Sequence, residues 1–557
     1  MFGLSSGERT GIIKDTQKGA GPFVAEWSSI YADTTVAVLE AFNREEQMVE
    51  VTFCFSAWSL KLEGACVTND RNRPYLSKSL FIRALQCHKS LYLDRYQPEL
   101  RDEVSEEKQA VFESGTEVGI LAEDLFPGGM KVPYEGLSPL EQLDMTASEI
   151  RKGTKTIYEA AFSYNNVFIK ADIFHKGKRG WELYEVKQST KVEAVHVNDV
   201  ALQYYVLKGS MVPVSKAFLV HINNEYVRHG GIEVEKLFVI EDVTDRVKEK
   251  QTFVAEELEK MRKMLNGPMP AIDIGSWCHD PYECDFKGRC WQHIPEDSVF
   301  TLKRKGVNQF DLYRRGIIRL DQIPLDVLND AQRTQVEFFL EKKEAVNREA
   351  VREFLVSLWY PLYFLDFETF LRPIPPFDGT RPYQQIPYQY SIHFLEREGA
   401  VPGHREFLAE PNVDPREELT GRLVVEIPDD ACIVAYNSSF ETSILKELAE
   451  WLPQYAGKIE RIVSNMRDLM APFRRRDVYH WQMKGSHSQK AVLPALVPDL
   501  SYEGMEVADG GIAMEAYFAM CEAKDPSEVN RIRKSLLEYC KLDTLGMVRL
   551  LEKLRSL

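Results

Sequence analysis

The stretch YFLDFETF at residues 363–370 constrains this chain most, because it places two carboxylates, Asp366 and Glu368, inside an apolar, aromatic run. The side chains of a β-strand repeat every two residues, so both carboxylates leave the same face, about 6–7 Å apart. Their apolar neighbours predict a buried strand rather than a solvated acidic edge strand. Buried like charges need a counter-ion, and hard divalent cations prefer oxygen ligands. The sequence therefore predicts a Mg²⁺ or Mn²⁺ site here.

Downstream residues supply partners for this strand. Glu441 follows an apolar run in CIVAYNSSFE, and Tyr539 and Asp543 lie four apart on a predicted helix in EYCKLDT. Together the three segments resemble the exonuclease motifs of the DEDD superfamily in its tyrosine (DEDDy) branch, which implies an RNase H-like fold. The resemblance also implies two metal ions, one activating water and one stabilising the leaving oxygen. Asp366, Glu368 and Asp543 would bind metal, and Tyr539 would orient the attacking water.

One position departs from the superfamily pattern. Glu441 stands where the second motif has Asp, and its side chain is one methylene longer. Such a carboxylate either acts through water or does not ligate, and Asp468 in NMRDLMAPF is the substitute candidate, although an Asp at that place is usually structural. Over residues 357–557 the segments FLDFETF, YNSSFE, GSHSQKAVLPAL and YCKLDT are also similar to an uncharacterised bacterial domain family.

The N-terminal half carries a second acidic pattern. Residues 157–190 predict a strand ending at Asp172, a basic hairpin turn, and a strand whose Glu185 and Lys187 share one face. Metal-dependent phosphodiester hydrolysis needs such a set, because two carboxylates hold Mg²⁺ and an ammonium positions or polarises the nucleophilic water. Glu-x-Lys alone is common, and an ordinary surface hairpin is the alternative.

A helix containing Gln203 and Tyr204 follows this pattern. The whole arrangement resembles the PD-(D/E)XK nucleases of the RecB type, including the CRISPR-associated RecB-like exonucleases. The resemblance implies a restriction-endonuclease-like core with the Gln203 helix beside the active site. It also implies that an upstream helical acid adds a metal ligand, and Glu117 matches that position.

Four cysteines extend this resemblance. Cys278, Cys284 and Cys290 recur every six residues, and Cys87 lies far upstream. With one N-terminal and three C-terminal thiolates they resemble the [4Fe–4S] staple of RecB-like nucleases, which ties the two ends of the domain together. Zinc is the chemical alternative, but the chain lacks the close Cys-x2-Cys knuckle that zinc sites favour.

Length and pattern together predict a multi-domain α/β protein. We expect an extension over 1–74, a RecB-like PD-(D/E)XK domain over 75–295, a helical linker over 296–356, and an RNase H-like mixed-sheet exonuclease domain over 357–557. Within the linker, residues 312–323 weakly resemble a helix–hairpin–helix, and a plain helical linker is the favoured interpretation.

Charge limits the function. The chain has 69 Lys plus Arg and 85 Asp plus Glu, a net charge of −16, which argues against a protein that coats nucleic acid. Nucleic acid would bind at local basic segments, of which 176–179, 303–305 and 474–476 are candidates. No P-loop is present, so ATP-driven unwinding would come from a separate helicase or defence-complex subunit. No run of 18 apolar residues and no signal-peptide core appear, so we expect a cytoplasmic protein without a membrane span.

These patterns predict a nuclease that hydrolyses phosphodiesters at two sites, with DNA favoured over RNA although DEDD chemistry permits both. The alternative is a nucleic-acid-binding or assembly subunit of a repair or defence complex in which one or both sites are vestigial.

Overall fold

The computed structural model describes residues 76–303 and 305–557 and, ahead of them, the backbone of four strands. Helices and mixed sheets follow one another along the chain, which confirms the predicted multi-domain α/β class. The chain divides into two compact units, Met1–Arg73 and Pro74–Leu557. The predicted extension over 1–74 falls mostly on residues outside the described part, and the domain boundaries within 75–557 stay predictions.

The first unit contains a four-stranded sheet whose strands follow chain order. Its strands are β1 (Gly11–Ile13), β2 (Phe23–Trp27), β3 (Val36–Phe42) and β4 (Met48–Cys54).

The N-terminal part of the second unit is built on a seven-stranded sheet. Its strands are β5 (Leu76–Ser77), β6 (Met130–Lys131), β7 (Thr156–Tyr164), β8 (Val167–Lys176), β9 (Trp181–Lys187), β10 (Val214–Ile222) and β11 (Phe238–Asp242). Their order is β11-β10-β9-β8-β7-β6, and β5 pairs with β8. The strands β7, β8 and β9 form an antiparallel meander, while β10 runs parallel to β9.

The helices of this part are α1 (Lys78–Gln86), α2 (His88–Tyr96), α3 (Glu106–Ala122), α4 (Pro139–Lys152), α5 (Ala194–Gly209), α6 (Val234–Leu237), α7 (Thr244–Glu249), α8 (Gln251–Leu265) and α9 (Lys287–Cys290). The crossover helix α5 is apolar on most of its surface and packs into the core beneath β7, β8 and β10. That packing fixes the strand ends that carry the charged residues described below.

The linker is only partly helical. It contains α10 (Gln309–Arg314), α11 (Asp330–Glu341), β12 (Glu344–Val346) and α12 (Arg348–Val356). After α10 the chain turns at Gly316, whose φ of 77° favours glycine, and then forms a 3-10 turn at Leu320–Gln322. The weak helix–hairpin–helix resemblance therefore does not correspond to two α-helices.

The C-terminal part is built on a five-stranded mixed sheet. Its strands are β13 (Leu362–Phe370), β14 (Ile386–Leu395), β15 (Gly403–Leu408), β16 (Cys432–Ala435) and β17 (Met466–Asp468), in the order β15-β14-β13-β16-β17. β14 is antiparallel to β13 and β15, whereas β16 is parallel to β13 and β17. A further strand, β18 (Val478–His480), pairs with β12.

The helices of this part are α13 (Arg416–Glu426), α14 (Ser438–Trp451), α15 (Ala456–Ser464), α16 (Ala471–Arg474), α17 (Gln489–Leu496), α18 (Gly510–Glu522) and α19 (Pro526–Ser556). The predicted strand at YFLDFETF is confirmed as β13, with Phe364 and Leu365 completely buried on its opposite faces. α19 is 31 residues long and packs against β13 and β14. The sequence-distant helix thereby faces the acidic end of β13.

Candidate metal centres

The C-terminal centre consists of four carboxylates, Asp366, Glu368, Glu441 and Asp543. Asp366 and Glu368 come from β13, and Asp543 comes from the middle of α19. β16 ends at Ala435, the next turn begins α14, and Glu441 lies in the first turn of that helix. The electrostatic influence of all three other carboxylates reaches Asp366, so the structure brings the whole predicted set together.

The raised pKa values of these four carboxylates show that ionising them together is unfavourable. Burial, reinforced by repulsion from Asp543, raises the pKa of Glu368 to about 8 and raises the pKa of Asp366 well above its usual range. Burial likewise raises the pKa of Asp543 to about 6 and that of Glu441 to about 8. A cation bound among these groups would remove the cost of ionising them.

Glu441 is 2% exposed, and its Oε2 is buried without a hydrogen-bond partner. A buried acceptor without a donor is unusual and requires an explanation, and a bound cation provides one. Both carboxylate oxygens of Asp468, the substitute candidate, instead accept hydrogen bonds. Its Oδ1 accepts from the backbone N–H groups of Asn437 and Met470, and its Oδ2 accepts from Arg474 at 2.9 Å. Asp468 thus stabilises the turn before α14, and Glu441 is the better ligand candidate.

Tyr539 and three residues not predicted from the sequence surround Asp543. Tyr539 lies one helical turn from Asp543, and its hydroxyl acts to lower the pKa of that carboxyl. Tyr502 donates a hydrogen bond to Asp543 Oδ1 at 2.5 Å. Gln489 donates to the Tyr502 hydroxyl and to the Asp543 carbonyl. The Lys490 ammonium lies 5.8 and 5.6 Å from the ring centroids of Tyr502 and Tyr539. The exposed Lys490 ammonium therefore packs over two aromatic rings that border the acidic cluster.

Cys540 adds a thiol to this centre. Its Sγ is completely buried and lies 3.6 Å from Asp366 Oδ2. Within the described part of the chain, Asp366, Glu368 and Cys540 form the one group of at least three potential ligand atoms that all lie within 4.8 Å of one another. These residues could hold a metal ion.

The N-terminal centre consists of Asp172, Glu185, Lys187, Asp199 and Lys78. Lys187 Nζ lies 2.6 Å from both Glu185 Oε1 and Asp199 Oδ2. Lys78 Nζ lies 2.7 Å from Glu185 Oε1 and 3.5 Å from Asp172 Oδ1. Asp172 Oδ2 accepts the backbone N–H of Val186 at 2.8 Å, which joins β8 to β9 at the centre. The structure brings the predicted trio together and adds Lys78 and Asp199, which were not predicted.

The lysines reverse the pKa shift of the central carboxylate. Glu185 is completely buried, yet attraction to Lys187 and Lys78 outweighs burial and holds its pKa well below the usual range. Asp172 lacks a contact as close, so burial and repulsion from Glu185 raise its pKa to about 7. The centre therefore contains its own counter-ions.

The Gln203 helix lies beside this centre, as the resemblance implies. Gln203 is completely buried and donates to Glu185 Oε2 at 2.6 Å, while its own Oε1 has no partner. Tyr204 instead packs in the hydrophobic core. Glu117 lies on an exposed part of α3, with its carboxylate 3.5 Å from Arg372.

The strand carrying Asp172 is longer than predicted. It runs to Lys176 because Ile173 and Phe174 continue the apolar pattern and are completely buried. Asp172 therefore lies within β8, and the basic turn begins four residues further on.

The four cysteines line one small pocket. Cys87 follows α1, Cys278 ends a 3-10 turn, and Cys290 ends α9. The negative charge of the neighbouring sulfurs of Cys278 and Cys284 adds to burial in raising the pKa of Cys87 and of Cys290. The structure thus gathers thiols that are 191 residues apart in the chain.

A groove of about 1160 Å³ passes close to both centres. Lys187 of the N-terminal centre lines this groove, and so does Gly511. The residue before it, Gly510, lies beside the C-terminal centre, because a Cβ added to it would be 3.7 Å from Glu368 Oε2. Arg372 and Arg531 are also in its wall, each paired with a glutamate.

Among the described residues, no helix is both long and apolar enough to cross a membrane.

Two comparisons relate parts of the chain to known sequences. A family model described as "Domain of unknown function (DUF2779)" matches residues 363–488, which contain β13 and Glu441. The uncharacterized protein UU173 of Ureaplasma parvum serovar 3 is 25% identical over 234 residues, or 38% of this chain. The match spans 32% of the length of that relative. Both are similarities of sequence, and neither description names an activity.

Proposed function

We propose that this protein is a metal-dependent nuclease that hydrolyses nucleic-acid phosphodiesters, preferentially of DNA, at two centres. The observation that carries the proposal is the convergence of Asp366, Glu368, Glu441 and Asp543 from three distant segments into one buried cluster with raised pKa values. Burying carboxylates that repel one another is energetically unfavourable unless a divalent cation binds them.

The C-terminal centre supports a DEDDy-type 3′–5′ exonuclease. Mg²⁺ or Mn²⁺, when bound, supplies Lewis-acid stabilisation of the charge that develops on phosphate oxygens. Asp366, Glu368 and Asp543 present the oxygen ligands, and Glu441 adds an unpartnered carboxylate oxygen. Tyr539 lies one helical turn from Asp543 on α19, so its hydroxyl can orient water toward a phosphate beside the bound metal. The mixed sheet with β13 at its centre supports an RNase H-like domain.

The N-terminal centre supports a RecB-like PD-(D/E)XK nuclease. The meander β7–β9, the crossover helix α5 and the parallel strand β10 support a restriction-endonuclease-like core. Asp172 and Glu185 present carboxylates to a metal, and Lys187 places an ammonium next to them, where it can position the nucleophilic water. Gln203 fixes the orientation of Glu185.

A double variant tests the proposal. Asp172→Asn with Asp366→Asn should abolish Mn²⁺-dependent degradation of end-labelled single-stranded DNA and of the matching RNA. Asp245→Asn is the matched control, because that side chain is 96% exposed on α7 and far from either motif in sequence. Undiminished degradation by the double variant would refute the assignment.

The cysteine pocket supports a [4Fe–4S] cluster rather than zinc. All four cysteines line one pocket, and they lack the close Cys-x2-Cys pair that zinc sites favour. Anaerobic purification should yield a brown protein with absorbance at about 400 nm and four irons per chain. Stoichiometric zinc without iron would contradict this part of the proposal.

A second candidate is a nucleic-acid-binding or assembly subunit that works with a separate helicase or defence-complex partner. The pairing of Glu185 with two lysines favours it for the N-terminal centre, because a carboxylate already neutralised has less need of metal. Nucleic-acid binding without metal-dependent cleavage would support this candidate. Either role fits a cytoplasmic location, where thiols stay reduced.

A further inference from the structure

Helix α1 connects the cysteine pocket to the N-terminal centre. At its C-terminal end, the Gln86 side chain donates to the backbone carbonyls of Trp277 and Tyr282, both at 2.6 Å. Cys87 follows directly and lines the pocket. One turn earlier, Arg83 forms an ion pair with Asp285, the residue after Cys284. The end of α1 is thus anchored to the cysteine-bearing loop.

The other end of α1 reaches the acidic centre. Leu76 and Ser77 form β5, which pairs in parallel with the start of β8, the strand that carries Asp172. Ser77 caps α1, and Lys78 is the first residue of the helix. Pairing and cap hold the N-terminal end of α1, and the Lys78 side chain extends from this end to the carboxylates on β8 and β9.

The ammonium of Lys78 lies between the two carboxylates that the proposed nuclease uses for metal. Its distances are 2.7 Å to Glu185 Oε1 and 3.5 Å to Asp172 Oδ1. Glu185 is completely buried, so its charge is poorly solvated and interacts strongly with whichever cation is closest. A divalent cation bound by both carboxylates would have to displace this ammonium or accept its repulsion.

We infer that Lys78 is a resident counter-ion that competes with divalent metal for Asp172 and Glu185, and that α1 holds it there through its anchor on the cysteine loop. The inference rests on the proposed function of this centre and adds a regulatory element to it. Removing this anchor should loosen Lys78 and strengthen metal binding by Asp172 and Glu185.

A Mn²⁺ titration followed by electron paramagnetic resonance tests the competition. The background is the full chain with Asp366→Asn and Glu368→Gln, so that the C-terminal centre does not contribute. Lys78→Met should bind Mn²⁺ about tenfold more tightly than this background, because a unit positive charge is removed beside the ion. A gain of affinity cannot result from misfolding.

Lys170→Met is the matched control. Lys170 lies in β8 with Asp172, but its ammonium is 3.8 Å from Glu159 and contacts neither carboxylate of the pair. It should leave the Mn²⁺ affinity within about twofold, since its charge is further from the ion. Equal affinity in Lys78→Met and the background, with Mn²⁺ bound in both, would overturn the inference alone. No bound Mn²⁺ in either would overturn the proposed metal role of this centre as well.

The link to the cysteine loop has its own test. Gln86→Ala removes two hydrogen bonds to that loop without changing a cysteine. It should tighten Mn²⁺ binding several-fold in the same background, and should add nothing once Lys78 is Met, because both changes act through the same ammonium. An effect of Gln86→Ala that persists in Lys78→Met, or no effect in either, would overturn the coupling through α1.

Discussion

The two acidic centres of this chain are both built around a buried glutamate, and the pKa values of these two glutamates are shifted in opposite directions. In the N-terminal centre Lys78 and Lys187 contact Glu185, and its pKa lies well below the usual range. In the C-terminal centre Lys490 lies over two tyrosine rings, and burial raises the pKa of Glu368 to about 8 despite the attraction of this lysine. Since a lysine already satisfies one centre and not the other, we expect the C-terminal centre to depend more strongly on divalent metal.

The largest expected effect is on 3′–5′ degradation, which should depend on the C-terminal centre and not on the N-terminal centre. Asp366→Asn removes a charge and a ligand at the heart of the C-terminal centre and should lower 3′–5′ degradation of single-stranded DNA about a thousandfold or more. The measurement is release of nucleotides from a 3′-labelled strand in Mn²⁺. Asp172→Asn serves as the comparison, since it should leave this polarity intact. A loss of less than tenfold for Asp366→Asn would contradict the assignment.

The next prediction concerns stability and pH without metal. The pKa of Glu368 is raised from 4.5 to about 8 by burial and by Asp543, so between those pH values the folded protein holds more protons than the unfolded chain. The contribution of Glu368 to the free energy of unfolding therefore falls as pH rises through this window. Above pH 6.5 the histidines His393 and His404, whose pKa values are lowered by burial to about 4, no longer oppose this fall.

Thermal unfolding in EDTA measures this effect. The melting temperature should fall by on the order of 5 °C between pH 6.5 and pH 8, and Glu368→Gln should flatten the dependence. Adding Mn²⁺ should restore stability at pH 8, because the ion binds the ionised carboxylates. A melting temperature that rises across the window in EDTA would contradict the raised pKa values.

Glu441 gives a smaller effect that decides whether the longer side chain acts as a ligand. Glu441→Gln should weaken Mn²⁺ binding at the C-terminal centre at least about tenfold, the lower end of the loss seen when groups that support a metal site are changed. Isothermal titration calorimetry provides the measurement. Asp468→Asn is the control, because its carboxylate already binds Arg474 and two backbone N–H groups. Weaker Mn²⁺ binding in Asp468→Asn but not in Glu441→Gln would instead make Asp468 the ligand and Glu441 a structural residue.

The smallest expected effect concerns the cation above the C-terminal centre. Lys490→Gln should weaken binding of single-stranded DNA a few-fold in Ca²⁺ and reduce the slope of log affinity against log salt by about 0.7, the value for one lost phosphate contact. Fluorescence anisotropy at several salt concentrations gives both numbers. Lys541→Gln changes another exposed lysine of this part and should leave the slope unaltered.

The regular elements could be predicted because local patterns encode them. The apolar, aromatic run YFLDFETF predicts β13, and the four-residue spacing of Tyr539 and Asp543 places both on one side of α19. Apolar runs bounded by turn residues likewise predict β16 followed by α14. In each case the residues that define the element are neighbours in the chain.

The residues that complete the centres could not be predicted in this way. Lys78 lies 107 positions before Glu185, and only the pairing of β5 with β8 brings it to the centre. Tyr502 belongs to a loop without a periodic pattern, and its role is visible only from its hydrogen bond to Asp543. Asp199 shares its helix with Gln203, so a search of that helix for acids facing β9 could have found it.

The central claim is that distant carboxylates are gathered because they bind divalent cations. Titration of the metal-free protein with Mn²⁺ tests it most directly, by counting bound ions in the native chain and in Asp366→Asn. We predict at least one site of micromolar affinity in the native chain that is lost in Asp366→Asn. A native chain that binds no Mn²⁺ at micromolar concentration, or binds it equally well without Asp366, would contradict the claim.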